Sequence, residues 1–177
     1  MKQLDSTGLK RLHREWRRRT ELRLALVLES VESPFNVGSI IRTAAAYRVE
    51  RLWLCGSTAT LDSSNVKKTA MGTERYLDVD TVPKTSDAIA AAREEGFTVI
   101  GIELTDDARP MHDLDIGDAS CLVVGHEDRG LTASTMAACD VVSYLPLAGR
   151  VGSLNVATAT SIALYEARRQ EWTRIHE

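Results

Sequence analysis

Short apolar runs alternate with helix-like stretches along almost all of this 177-residue chain, and that alternation limits its fold more than any other feature. Leu24-Ala-Leu-Val-Leu28 and Arg51-Leu-Trp-Leu-Cys55 read as buried strands. Between them Asn36 is placed to cap a helix through Ile40, Ile41, Ala44, Ala45 and Tyr47, which makes one β-α-β unit. Thr85 or Ser86 is placed to cap a helix from Asp87 to Glu95 that Gly96 ends, and Phe97 to Glu103 follows as a strand. Ser120 to Val124 and Val141 to Leu145 add two strands with a short helix, Thr132 to Ala138, between them. Asn155 caps a last helix whose apolar positions Val156, Ala159, Ile162, Ala163 and Ala167 share a face. Such alternation predicts an α/β fold, a mainly parallel sheet with helices on both faces.

Charge divides the chain in two. Residues 1–23 hold eight Lys/Arg against three acids, an excess of +5; the net charge of −3 therefore leaves −8 on the remainder. We read residues 1–21 as a basic N-terminal arm and residues 22–177 as one domain, since no repeat, low-complexity tract or Pro/Gly-rich linker divides the rest. In the arm, Leu9, Leu12 and Trp16 fall on one helical stripe with Arg14, Arg17, Arg18 and Arg19 around it. A basic arm on an acidic body suits an anionic polymer, because phosphates attract Lys/Arg clusters and release counterions on binding. A solvated helix docked on the domain is the other reading.

Apolar runs such as Leu24 to Leu28 and Cys121 to Val124 are far shorter than the roughly 20 residues of a membrane span. The first sixteen residues hold no secretory apolar stretch, so the expected location is the cytoplasm. Cys55, Cys121 and Cys139 are odd in number, lack CxxC spacing and sit in or beside apolar segments, as small core residues do. His13, His112, His126 and His176 are scattered, which argues against a zinc site; no metal is expected.

Parallel sheets of this kind take ligands at the carboxyl ends of their strands, and three polar, glycine-bearing segments lie there. In Glu32 to Ala44, Gly38 permits close backbone approach, and Arg42 stands in a small, apolar helix where it needs an anion or must reach solvent. Gly125 to Thr132 imitates a P-loop, but Leu131 occupies the place of the phosphate-binding lysine and Glu127 and Asp128 would repel a triphosphate. An acidic loop of this kind suits a ligand with positive charge or with hydroxyl and amino donors. Leu145 to Asn155 holds Pro146, Gly149 and Gly152, then Ser153 and Asn155 at a helix start. No GxGxxG or GxSxG is present.

Together the segments NVGSIIRTA (36–44), VVGHEDRGL (123–131) and LPLAGRVGSLNVATATSIALYE (145–166) resemble, in order and spacing, the three motifs of the SpoU/TrmH family of RNA ribose methyltransferases. KTAMGTERYL (68–77) is similar to that family's loop after the second strand. The resemblance covers residues 22 to 170. It implies a SPOUT-like sheet with a C-terminal trefoil knot, a homodimer, S-adenosyl-L-methionine as cofactor and methyl transfer to a ribose 2′-hydroxyl of RNA. Asn36, Arg42, Glu127, Ser153 and Asn155 match the family's functional positions, and Leu104, Gly125, Glu127, Leu145, Ser153 and Leu154 those that hold the cofactor.

A 2′-hydroxyl is a weak nucleophile and a sulfonium methyl a good electrophile, so the required work is alignment and removal of one proton. Arg42 is the residue the resemblance implies as base. An arginine gives up its proton with difficulty, and gripping the adjacent phosphate is the alternative role. The short arm favours tRNA over ribosomal RNA as substrate, with a non-catalytic RNA-binding module of the same fold as the competing reading.

Overall fold

The computed structural model describes residues 3–174. Seven strands form one sheet in which every pairing is parallel, as the alternation predicts. They are β1 (Arg23–Glu29), β2 (Arg51–Cys55), β3 (Asp78–Val82), β4 (Thr98–Ile102), β5 (Arg109–Pro110), β6 (Ala119–Val124) and β7 (Val141–Tyr144). Their order across the sheet is β3-β2-β1-β6-β4-β7-β5. The helices are α1 (Ser6–Arg18), α2 (Pro34–Ala46), α3 (Ser64–Ala70), α4 (Thr85–Glu94), α5 (Ala133–Ala138) and α6 (Val156–Arg174).

The two-residue period of the central strands builds a core on each face of the sheet. In β1, Leu24, Leu26 and Leu28 join Ile40, Ile41, Val66, Ala163 and Leu164 on the face covered by α2, α3 and α6. Ala25 and Val27 face the other way, with Cys121 and Val123 of β6, against Ala88, Ile89 and Ala92 of α4. Cys55 and Cys121 are buried as expected, and burial pushes the Cys55 thiol up to about 12; Cys139 is only half-buried.

Local details depart from the sequence expectation where chain-end chemistry decides. Ser33, not Asn36, caps α2: its hydroxyl accepts from the Asn36 N–H, and Pro34 sets the first turn. Asn36 therefore lies inside the helix with its side chain free for another partner. Lys84 occupies the cap of α4 and makes no side-chain bond there, so neither Thr85 nor Ser86 caps it. Gly96, at φ 85°, does end α4. Strand β3 and helix α3 go beyond the elements that the apolar pattern predicts. β3 is an edge strand whose Asp78, Asp80 and Thr81 are exposed, and α3 is a seven-residue helix carrying Lys67 and Lys68.

Helix α6 is tied to the rest by Arg168, which is 1% exposed. Its guanidinium donates to the carbonyls of Leu22 (2.7 Å), Tyr47 (2.9 Å) and Arg48 (3.1 Å) and to Glu171 (2.9 Å). Glu171 in turn accepts from the backbone of Glu21 and Leu22. One buried ion pair thus joins α6 to the start of β1 and the end of α2. Helix α1 has no buried residue. It meets the domain at its last turn, where Trp16 lies 4.9 Å from Trp172 and Arg48 donates to the Thr20 carbonyl. Among the described residues, no helix is long and apolar enough to cross a membrane.

Candidate active site and nucleic-acid interface

The carboxyl ends of β1, β4, β6 and β7 converge because β6 and β4 lie side by side between β1 and β7. Around their mouths sits a cavity of about 530 Å³. Leu104 follows β4, Gly125 and Glu127 follow β6, and Leu145, Ser153 and Leu154 belong to the segment between β7 and α6; all line the cavity. The six cofactor positions expected from the sequence are thus brought together.

The turn after β6 is closed by two backbone hydrogen bonds between His126 and Gly130. A side chain at Gly125 would strike the Gly130 backbone at 2.3 Å, so only glycine lets this turn fold back over the strand end. Glu103, which the motifs did not indicate, holds the turn from the β4 side: its carboxylate accepts from the N–H of Leu131 (2.9 Å) and Leu104 (3.0 Å). Gly130 leaves room for that carboxylate. The only signal available in the sequence was an acid directly after a strand.

Glu127 joins this turn to the first segment. It accepts from the Asn36 amide (2.9 Å) and from the N–H groups of Ser33 (3.0 Å) and Glu32 (3.2 Å). Burial raises the pKa of this carboxyl, but the bonds from Asn36 and from the backbone outweigh it, and Glu127 is held below the usual carboxylate range. Asn36 accepts in turn from the Asn155 amide (3.0 Å), and Asn155 caps α6 by accepting from Ala157 (2.9 Å) and Thr158 (3.2 Å). A chain of three side chains, Glu127–Asn36–Asn155, therefore fixes three strand-end segments at one rim.

Arg42 does not line the cavity. It is exposed on α2, with its guanidinium against the sulfur of Met71 in the turn after α3. The arm arginines Arg14, Arg17, Arg18 and Arg19 are exposed and lie outside the cavity's lining; Arg19 pairs with Glu15.

The cavity fits a cofactor of the size and charge of S-adenosyl-L-methionine: a glycine turn offers backbone groups, Leu104, Leu145 and Leu154 offer apolar walls, and Glu103, Glu127 and Asp128 offer negative charge. No cluster among the described residues could hold a metal ion.

A wholly parallel sheet with a pocket built from glycine-bearing strand-end loops defines an α/β ligand-binding protein of the switch-point kind. The model of the SpoU rRNA Methylase family matches residues 23–165, and the chain belongs to that family. It is 33% identical over 150 residues to a tRNA (guanosine(18)-2′-O)-methyltransferase of Escherichia coli, covering 83% of this chain and 63% of the relative. It is 33% identical over 148 residues to the 23S rRNA (guanosine-2′-O-)-methyltransferase RlmB of Acinetobacter baylyi, covering 83% of this chain and 60% of the relative. Among solved structures, the SpoU methyltransferase AviRb of Streptomyces viridochromogenes in complex with AdoMet superposes with a TM-score of 0.76 at 30% identity, covering 87% of this chain and 62% of that one. The chain thus spans somewhat under two thirds of each of these proteins.

Proposed function

We propose that this protein is an S-adenosyl-L-methionine-dependent RNA methyltransferase that methylates a ribose 2′-hydroxyl, acting on tRNA. The observation that carries the proposal is the Glu127–Asn36–Asn155 chain at the mouth of a cavity lined by Leu104, Gly125, Glu127, Leu145, Ser153 and Leu154. It joins the three segments, 36–44, 123–131 and 145–166, by which the sequence resembles the SpoU/TrmH family.

When bound, the cofactor supplies an electrophilic methyl on a sulfonium. The chain's residues do the rest. Glu127, held ionised, keeps the Glu32–Asn36 backbone docked on the turn after β6, and Asn155 holds the start of α6 in register with both. Ser153, exposed on the cavity's rim, offers a hydroxyl toward the ligand. Arg42 aligns the acceptor: its planar guanidinium grips the phosphate beside the target ribose in two places, and that phosphate or a water takes the 2′-hydroxyl proton. This role needs no deprotonated arginine.

In the same reading the C-terminal part of the domain is tied in the family's trefoil knot, and the protein acts as a homodimer in the cytoplasm. Residues 1–21 serve as an RNA-gripping arm on the domain of residues 22–177, with Arg14, Arg17, Arg18 and Arg19 on phosphates. The excess of +5 on residues 1–23 supports an RNA partner.

Incubation with methyl-labelled cofactor and bulk unmodified tRNA, followed by nucleoside analysis, tests the proposal. Label in 2′-O-methylnucleosides is expected. Label confined to bases would overturn the ribose assignment, and no label with either tRNA or ribosomal RNA while the protein still binds RNA would return it to a binding module.

A further inference from the structure

Of the two phenylalanines in the chain, Phe97 is buried at 3% exposure and Phe35 stands 59% exposed at the first turn of α2. Its neighbour Asn36 belongs to the side-chain network at the cavity's rim. Phe35 and Arg42 are seven residues apart, which puts both on one stripe of the helix about 10 Å apart along its axis. Between them on that stripe are only the small Gly38 and Ser39.

The ground beside this stripe is basic. Helix α3 packs directly on α2, for a side chain at Gly38 would meet Thr69 at 2.6 Å and the Val66 carbonyl at 2.8 Å. From α3 and the turn after it, Lys67, Lys68 and Arg75 are exposed. Neither they nor Arg42 form an ion pair with any acid among the described residues. An exposed aromatic ring in line with an unpaired guanidinium, beside three further unpaired cations, is the arrangement that holds single-stranded nucleic acid: the ring takes a base, the cations take phosphates.

We propose that Phe35 is a base-stacking platform that positions the target nucleotide of the RNA, laying its backbone along α2 toward Arg42. The inference rests on the proposed RNA methyltransferase reading and deepens it. A ring face accepts any base, so Phe35 contributes to affinity and alignment and does not select sequence. It is a positioning residue.

The test compares Phe35→Ala, Phe35→Leu and Phe35→Tyr in methyl transfer to bulk unmodified tRNA, with cofactor affinity and sedimentation measured alongside. Removing the ring under one stacked base by alanine substitution costs about 5- to 150-fold. Phe35→Ala is expected to raise KM for tRNA, or lower kcat/KM, by that factor. Cofactor affinity and oligomeric state should not change. Phe35→Leu should lose as much as alanine, and Phe35→Tyr should restore the wild-type value, because the ring is what acts. Full rescue by leucine would show a plain apolar contact and overturn the proposal. A change in sedimentation would assign Phe35 to a contact between copies and overturn it as well. Wild-type kinetics in Phe35→Ala would overturn it while leaving the enzyme reading intact. If the wild-type protein transfers no methyl to RNA, the enzyme reading fails first; unchanged tRNA binding by Phe35→Ala would then dismiss the platform separately.

Discussion

Deleting both ends of the Asn36–Glu127 bond should cost less than the two single deletions together. Glu127 is a half-buried carboxylate with three donors on it: the Asn36 amide at 2.9 Å and two backbone N–H groups at 3.0 and 3.2 Å. A hydrogen bond to a charged group contributes about 1.5–3 kcal/mol, and partial exposure puts this one at the lower end, about 1.5 kcal/mol. Asn36→Ala removes that bond and strips Asn155 of its acceptor. Asn155 keeps its cap on Ala157 and Thr158, so α6 should stay folded. Glu127→Ala removes the same bond and frees the two backbone donors, which water can reach. In kcat/KM for methyl transfer, read alongside urea unfolding, the double variant should therefore lose about tenfold less than the product of the single losses. Costs that add to within about 0.5 kcal/mol would show that the bond does not couple the first segment to the turn after β6, and the proposed role of Glu127 would fall.

Arg42→Ala should lower methyl transfer at least about a hundredfold with cofactor affinity unchanged. Arg42→Lys should recover only part of it, because lysine keeps the charge but not the planar fork; near-normal turnover in the alanine variant would remove Arg42 from the site. Replacing Arg14, Arg17, Arg18 and Arg19 by Ala should weaken RNA binding and flatten its salt dependence, by about 0.7–0.9 in the logarithmic slope for each phosphate no longer neutralised; an unchanged slope would make α1 a docking helix only. Arg168→Met leaves Glu171 buried without its cation and should cost about 3–5 kcal/mol in urea unfolding. The stabilisation from Glu127, whose pKa is depressed in the fold, is fully present above its unfolded value of about 4.3 and is lost as pH falls through the lower folded value. The stability difference between wild type and Glu127→Gln should therefore be largest near neutral pH and close below about pH 4.

The elements legible in the sequence are those whose pattern is set by burial on one or both faces. β1 is apolar from Leu24 to Leu28 and β6 from Cys121 to Val124 because helices cover both sides, and the parallel sheet follows from their alternation with α2, α4 and α6. β3 leaves no such trace because an edge strand of Asp78-Val-Asp-Thr-Val82 has little to bury. Asn36 reads as a cap because an asparagine before an apolar run is equally suited to a cap and to a network inside the first turn; Pro34 and Ser33 settle the matter two and three residues earlier. The motifs single out Asn36, Glu127 and Asn155, but not that these side chains touch, since 91 and 119 residues separate the partners and only the strand order brings them together. Glu103 carries no motif at all; its work is visible only once the N–H of Leu131 is in place above it.

The central claim, that this protein methylates a ribose 2′-hydroxyl of tRNA, is tested most directly by mapping methylated riboses across all RNA from cells with and without the gene, through their resistance to alkaline cleavage. The account predicts that one or a few tRNA positions lose the modification and regain it when the wild-type gene, but not Arg42→Ala, is restored. Unaltered ribose methylation in every tRNA and ribosomal RNA would contradict it.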